Sequence, residues 1–135
     1  MATPKVTTDG TTEFEEAAMN KYICAGEANK VQVKMWWGRV RYTGAAWEVS
    51  SSYDSAGLTS GALAWSTNQL QMTLSGFSNI PIIVATPEAV DTNLNVKAHC
   101  ASTTQAVVRF YNIDTGALIS TEATTMEFNV IIIGY

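Results

Sequence analysis

The stretch MEFNVIIIGY, residues 126–135, decides how this chain is read. Four β-branched aliphatics in a row, Val130 to Ile133, favour a pleated strand over a helix. Chain ends usually fray, and a frayed end here would leave these side chains in water, so the segment is expected to be buried on folding. Strand alternation then sends Phe128, Val130 and Ile132 to one face and Ile131 and Ile133 to the other. Both faces are apolar, whereas an antiparallel sheet commonly keeps one face wet. The second face calls for a further covering, best supplied by another copy of the chain. A homo-oligomer follows as the expectation, with Phe128, Val130, Ile131, Ile132 and Ile133 as its interface residues.

Upstream, the same period of two recurs from residue 31 onward. VQVKMWWGRVRYT places Val31, Val33, Met35 and Trp37 on one face against Gln32, Lys34 and Trp36, with Gly38 marking a bulge or a close backbone approach. GAAWEVSSSY pairs back on it through a turn at Thr43-Gly44. NQLQMTLSGF points Leu70, Met72 and Leu74 inward. IPIIVATP is a short branched run between Pro81 and Pro87. NLNVKAHCA sends Leu94, Val96, Ala98 and Cys100 inward, and QAVVRFYNI leads into a turn at Asp114-Thr115-Gly116. Seven or eight short strands at a spacing of roughly ten residues, with turn residues between them, predict an all-β antiparallel sandwich over residues 31–135.

Residues 1–30 differ in character. A polar, Thr-rich arm leads to TTEFEEAAMNKYICAG, where Thr12 is placed to cap a helix and Glu13, Glu15 and Glu16 sit at its positive end. Phe14, Ala17, Ala18 and Tyr22 give that helix an apolar stripe, and Gly26 stops it. So short a helix needs a partner surface, either the chain's own sandwich or another chain; in the second case these four residues are the expected anchor to a particle.

Composition narrows the function. The chain has 135 residues, 47% of them hydrophobic and 15% charged, with a net charge of −4. That is globular, and a chain of this size buries a core without staples. Residues 1–27 hold five acids and two bases, so the remainder is almost neutral. Nucleic-acid binding and a basic membrane-surface patch are both excluded by this balance. The opening residues have no apolar run, so no secretory signal is expected, and no segment has the ~18 apolar residues of a membrane helix. Cys24 and Cys100 allow one disulfide, but nothing in their spacing favours it. Two reduced thiols acting as small hydrophobes is the simpler reading.

The catalytic inventory is thin. His99 is the only histidine, it falls on the polar face of its strand beside Lys97, and no G-x-S-x-G nucleophile elbow is present. No enzyme activity, cofactor or metal is expected. Loop acids Asp54, Glu88, Asp91 and Asp114 make calcium the one ion worth checking. Aromatic residues are the better candidates for ligand contact. Trp47, Tyr53, Asp54, Trp65 and Tyr111 combine rings with hydrogen-bonding groups in the manner of a sugar site. Trp47, Tyr53 and Asp54, beside the Ser-rich turn SSSYDSAG, are expected to be the least buried of them. Against this stands the ordinary use of aromatic rings as core filling.

Across residues 36–135 the order of these elements resembles the C-terminal knob domain of phage tail and head fibres, akin to the H-type lectin β-sandwich. The carriers are an F-x-x-x-P-x-x-V run (Phe77, Pro81, Val84), the strand VVRFYN, and a final F-x-x-x-x-x-G strand from Phe128 to Gly134. The resemblance implies a homotrimer around a three-fold axis, with receptor or glycan contact on loops or in subunit clefts. It departs from this chain in the shaft, since only about thirty residues precede the knob, and in its usual ending, here replaced by VIIIGY. Sugar-binding residues are therefore not carried over by position. The expectation is a non-enzymatic virion structural protein, a fibre knob or decoration protein made in the host cytoplasm. It would attach to other virion proteins through residues 1–30. A stand-alone lectin-like carbohydrate-binding module is the alternative.

Overall fold

The structure, a computed structural model, describes residues 5–6, 12–13, 33–88 and 93–135. The chain divides into two units, Met1–Gln32 and Val33–Tyr135. In the first, strands β1 (Lys5–Val6) and β2 (Thr12–Glu13) pair antiparallel. Thr12 and Glu13, expected to open a helix, are thus extended; Phe14, Ala17, Ala18 and Tyr22 lie outside the described residues, as do Cys24 and Asp91.

The second unit is the predicted all-β sandwich. One four-stranded antiparallel sheet has the order β4-β3-β10-β7, and the other β5-β6-β9-β8. The first is built from β3 (Lys34–Tyr42), β4 (Trp47–Val49), β7 (Ile82–Pro87) and β10 (Glu127–Gly134). The second is built from β5 (Leu63–Ser66), β6 (Gln69–Thr73), β8 (Leu94–Ser102) and β9 (Gln105–Asn112). The turn residues fit the connections. Gly44 and Gly116 take positive φ at the expected turns, and Thr67-Asn68, both at positive φ, close the β5–β6 hairpin as a two-residue primed turn does.

β10 sits in the middle of its sheet, pairing with β3 from Glu127↔Arg41 to Gly134↔Lys34 and with β7 from Phe128↔Pro87 to Ile133↔Ile82. Its inner row, Phe128, Val130 and Ile132, is buried in the chain's own core. These three were expected at a subunit interface and are withdrawn from it, because the second sheet already covers them. Ile131 and Ile133 point outward and stay exposed. The strand is held at its far end too: the backbone N–H groups of Ser78 and Asn79 donate to the Tyr135 carbonyl at 2.6 and 3.2 Å. A Cβ on Gly134 would lie 2.7 Å from Phe77 and 2.8 Å from Pro81, so the strand passes directly against that loop.

The core is aromatic at its centre. Trp47 stacks on Trp65 with ring centroids 5.8 Å apart and 6° between planes, and on Phe110 at 5.6 Å. Phe110 meets Phe128 edge-on at 5.6 Å, bridging the two sheets. Leu70, Met72 and Leu74 from and after β6, with Leu94 and Val96 from β8, fill the remainder, in the facing that alternation predicts. In β3 the inner face is the even row of Trp36, Gly38, Val40 and Tyr42, and the apolar odd row of Met35 and Trp37 faces out. Gly38 is no bulge, since its register with Val130 is unbroken. It is a close approach: a Cβ there would sit 3.2 Å from Ser55 and Val49.

Candidate functional site

The outer face of the β4-β3-β10-β7 sheet is where candidate groups gather. Register alone arranges it in rows across three strands. Met35, Ile133 and Ile82 form one row, and Trp37, Ile131 and Val84 the next. All six side chains are exposed, between 38% and 72%. The following rows are polar: Arg39, Asn129 and Thr86, then Arg41 and Glu127. One half of the face is therefore bare hydrocarbon and the other a set of ordered charges.

The charged half is tightly tied. Arg39 Nε donates to Glu127 Oε1 at 2.5 Å, its Nη2 lies 3.6 Å from Glu88 Oε1, and Asn129 Nδ2 donates to Glu88 Oε2 at 2.7 Å. The guanidinium also lies over the Tyr53 ring, 4.2 Å from its centroid, a cation–π contact. The hydrogen bond to Glu127, more than the nearby charges of Glu127 and Glu88, raises the Arg39 pKa above its ordinary value. Arg39 is a permanent cation that fixes Tyr53 in place. Arg41 pairs separately with Glu48 at 2.7 Å.

A groove of about 390 Å³ runs along the boundary of the two halves, lined by Trp37, Arg39, Tyr53, Asp54, Asn129 and Ile131 among others. The loop carrying Tyr53 and Asp54 is positioned by backbone pairing. Trp37 N–H donates to the Ala56 carbonyl at 3.0 Å and Ala56 N–H to the Trp37 carbonyl at 2.9 Å. Two exposed rings beside a carboxylate and an amide suit a ligand with apolar C–H faces and many hydroxyls.

Of the sequence candidates, Tyr53 and Asp54 meet in this groove. Trp47, expected near the surface, is instead 6% exposed, its ring covered by Trp65 and Phe110 and its Nε1 donating to Glu122 at 2.5 Å. Trp65 is half-buried against the same cluster. Tyr111 lies on the opposite outer face of the sandwich, with the Lys97 ammonium 4.9 Å from its ring centre. The five do not form one site. Trp37, Arg39 and Asn129 were not singled out, although Trp37 and Arg39 share strand parity, as do Asn129 and Ile131.

His99 is exposed on β8. Cys100 carries a free thiol, half-buried, whose pKa burial raises. Among the described residues no three His, Cys, Asp or Glu side chains cluster to hold a metal, and no helix is long and apolar enough to cross a membrane. Comparison with protein-family models, with curated proteins and with solved structures finds no match.

Proposed function

We propose that this chain is a non-enzymatic phage virion structural protein, a fibre knob or decoration protein, working as a homo-oligomer. It attaches to other virion proteins through residues 1–30 and contacts host surface glycans through the groove between Trp37 and Tyr53. The observation that carries the glycan contact is the pairing of two exposed rings, Trp37 and Tyr53, with Asp54 and Asn129 in one groove. Ring faces take the apolar side of a sugar while the polar groups take its hydroxyls. The particle-bound role is supported by the motif order of residues 36–135, and by the acidic N-terminal segment that precedes them in the sequence. The same groove would also serve the alternative, a stand-alone lectin-like carbohydrate-binding module.

The test is binding of the labelled full chain to an array of bacterial surface polysaccharides, and to particles lacking the protein. Tyr53→Ala and Asp54→Ala are expected to lower glycan binding at least tenfold, and His99→Ala to leave it unchanged. Removing residues 1–29 is expected to abolish particle attachment alone. Glycan binding without particle attachment would favour the stand-alone module, and neither binding would overturn the proposal.

A further inference from the structure

We propose that the apolar half of the β3-β10-β7 outer face is the contact between copies of this chain, each seating a second copy face to face. The inference rests on the homo-oligomeric part of the reading above and names the surface through which it is built.

The first support is area. Met35, Trp37, Ile82, Val84, Ile131 and Ile133 form an unbroken three-strand block in which no side chain is charged. Val33, Ile80 and Tyr135, also exposed, continue it around a second groove of about 210 Å³ at the Gly134 end. Leaving Trp37 to the groove, their exposures amount to on the order of 800 Å² of accessible surface, above the ~300–600 Å² of the largest apolar patch on a typical monomer. A stable pair needs ~800 Å² from each partner. The block with its extension reaches what one interface of standard size requires.

Charge points the same way. The other half of this face holds Glu48, Asp54, Glu88 and Glu127 against Arg39 and Arg41, an acidic surplus. An anionic membrane would be repelled by that surplus, since surface-bound proteins need basic residues beside the apolar ones. A second copy fits instead. With the strands of the two copies running in opposite directions across the contact, block meets block. The two acidic halves then point to opposite ends. Trp37, in the row beside Arg39 at the charged edge of the block, stays at the rim of the contact, so each glycan groove keeps both of its rings open to solvent.

The test is sedimentation equilibrium of the full chain with two single variants. The unmodified chain is expected at an even multiple of 14.6 kDa, since a face that pairs with itself builds pairs. Ile131→Asp in the centre of the block, and Ile82→Lys on the edge strand, are each expected to weaken association at least a hundredfold. Far-UV circular dichroism should remain unchanged. Ile113→Asp, exposed but outside this face, should leave the mass as it was. A monomeric full chain would overturn the inference, whether the block is then covered by residues 1–32 or by nothing. So would an oligomer that survives both block variants. Absence of particle or glycan binding by an intact oligomer would overturn the functional reading and leave this contact standing.

Discussion

Replacing Trp47 with Phe separates a core role from a surface role. The indole is buried among Tyr42, Trp65, Phe110 and Phe128, and its Nε1–H is given to the Glu122 carboxylate. Phenyl for indole removes roughly 40 Å² of apolar contact, about 1 kcal/mol. The space left behind, on the order of 40 Å³ in a packed core, adds about 1 kcal/mol more. Losing a charge-assisted hydrogen bond to a half-buried carboxylate adds ~1.5 kcal/mol. The expected loss is about 3 kcal/mol or slightly more. Urea unfolding followed by far-UV circular dichroism would show this as a midpoint about 2 M lower at a typical slope of ~1.5 kcal/mol/M. Glycan binding of the folded fraction should be unchanged. A loss below about 1 kcal/mol together with lost binding would refute the placement of this ring in the core.

Other substitutions report on single features. Gly57 has φ +76°, and a Cβ there would lie 2.3 Å from the Trp36 ring; Gly57→Ala should cost more than ~2 kcal/mol by chemical denaturation. Thr67 is a β-branched residue at positive φ, so Thr67→Asn should relieve strain and raise stability by about 0.5–1 kcal/mol. The Cys100 pKa is raised by burial, so the native thiol holds its proton where the unfolded one has lost it. Its contribution to stability is full below the ordinary thiol value of ~8.5 and falls as pH rises through the raised native value. Cys100→Ser should flatten that alkaline decline, measured by denaturation between about pH 8 and 10.

Where alternation carried one polar and one apolar row, the sequence was enough to orient a strand. β6 and β8 show this, with Gln71 and Lys97 opposite in facing to Met72 and Val96. β3 is harder because its outward row begins apolar, with Met35 and Trp37, while its inward row begins with Lys34. Only its second half is decisive: Arg39 and Arg41 share parity with Met35 and Trp37, while Gly38 and Val40 share it with Trp36. Trp47 was misplaced for a different reason. It lies close to the Ser-rich turn SSSYDSAG in sequence, but the residues that cover it, Trp65 and Phe110, are supplied by strands of the other sheet. The two apolar faces of VIIIGY were legible, and the single chain buries one of them and leaves the other exposed. The groove was not, because it depends on Ala56 and Gly57 pairing beside Trp37, far from Asn129 in sequence.

The central claim is that this sheet's outer face is the surface the protein works through, its apolar half closed by another copy. Hydroxyl-radical footprinting of the full chain across a dilution series tests it most directly, since Met35 and Trp37 are readily oxidised and both exposed in the single chain. The account predicts that Met35 is protected at high concentration and reacts progressively on dilution, while Trp37 and Tyr53, at the rim, react throughout. A Met35 reactivity that does not change with concentration would contradict it.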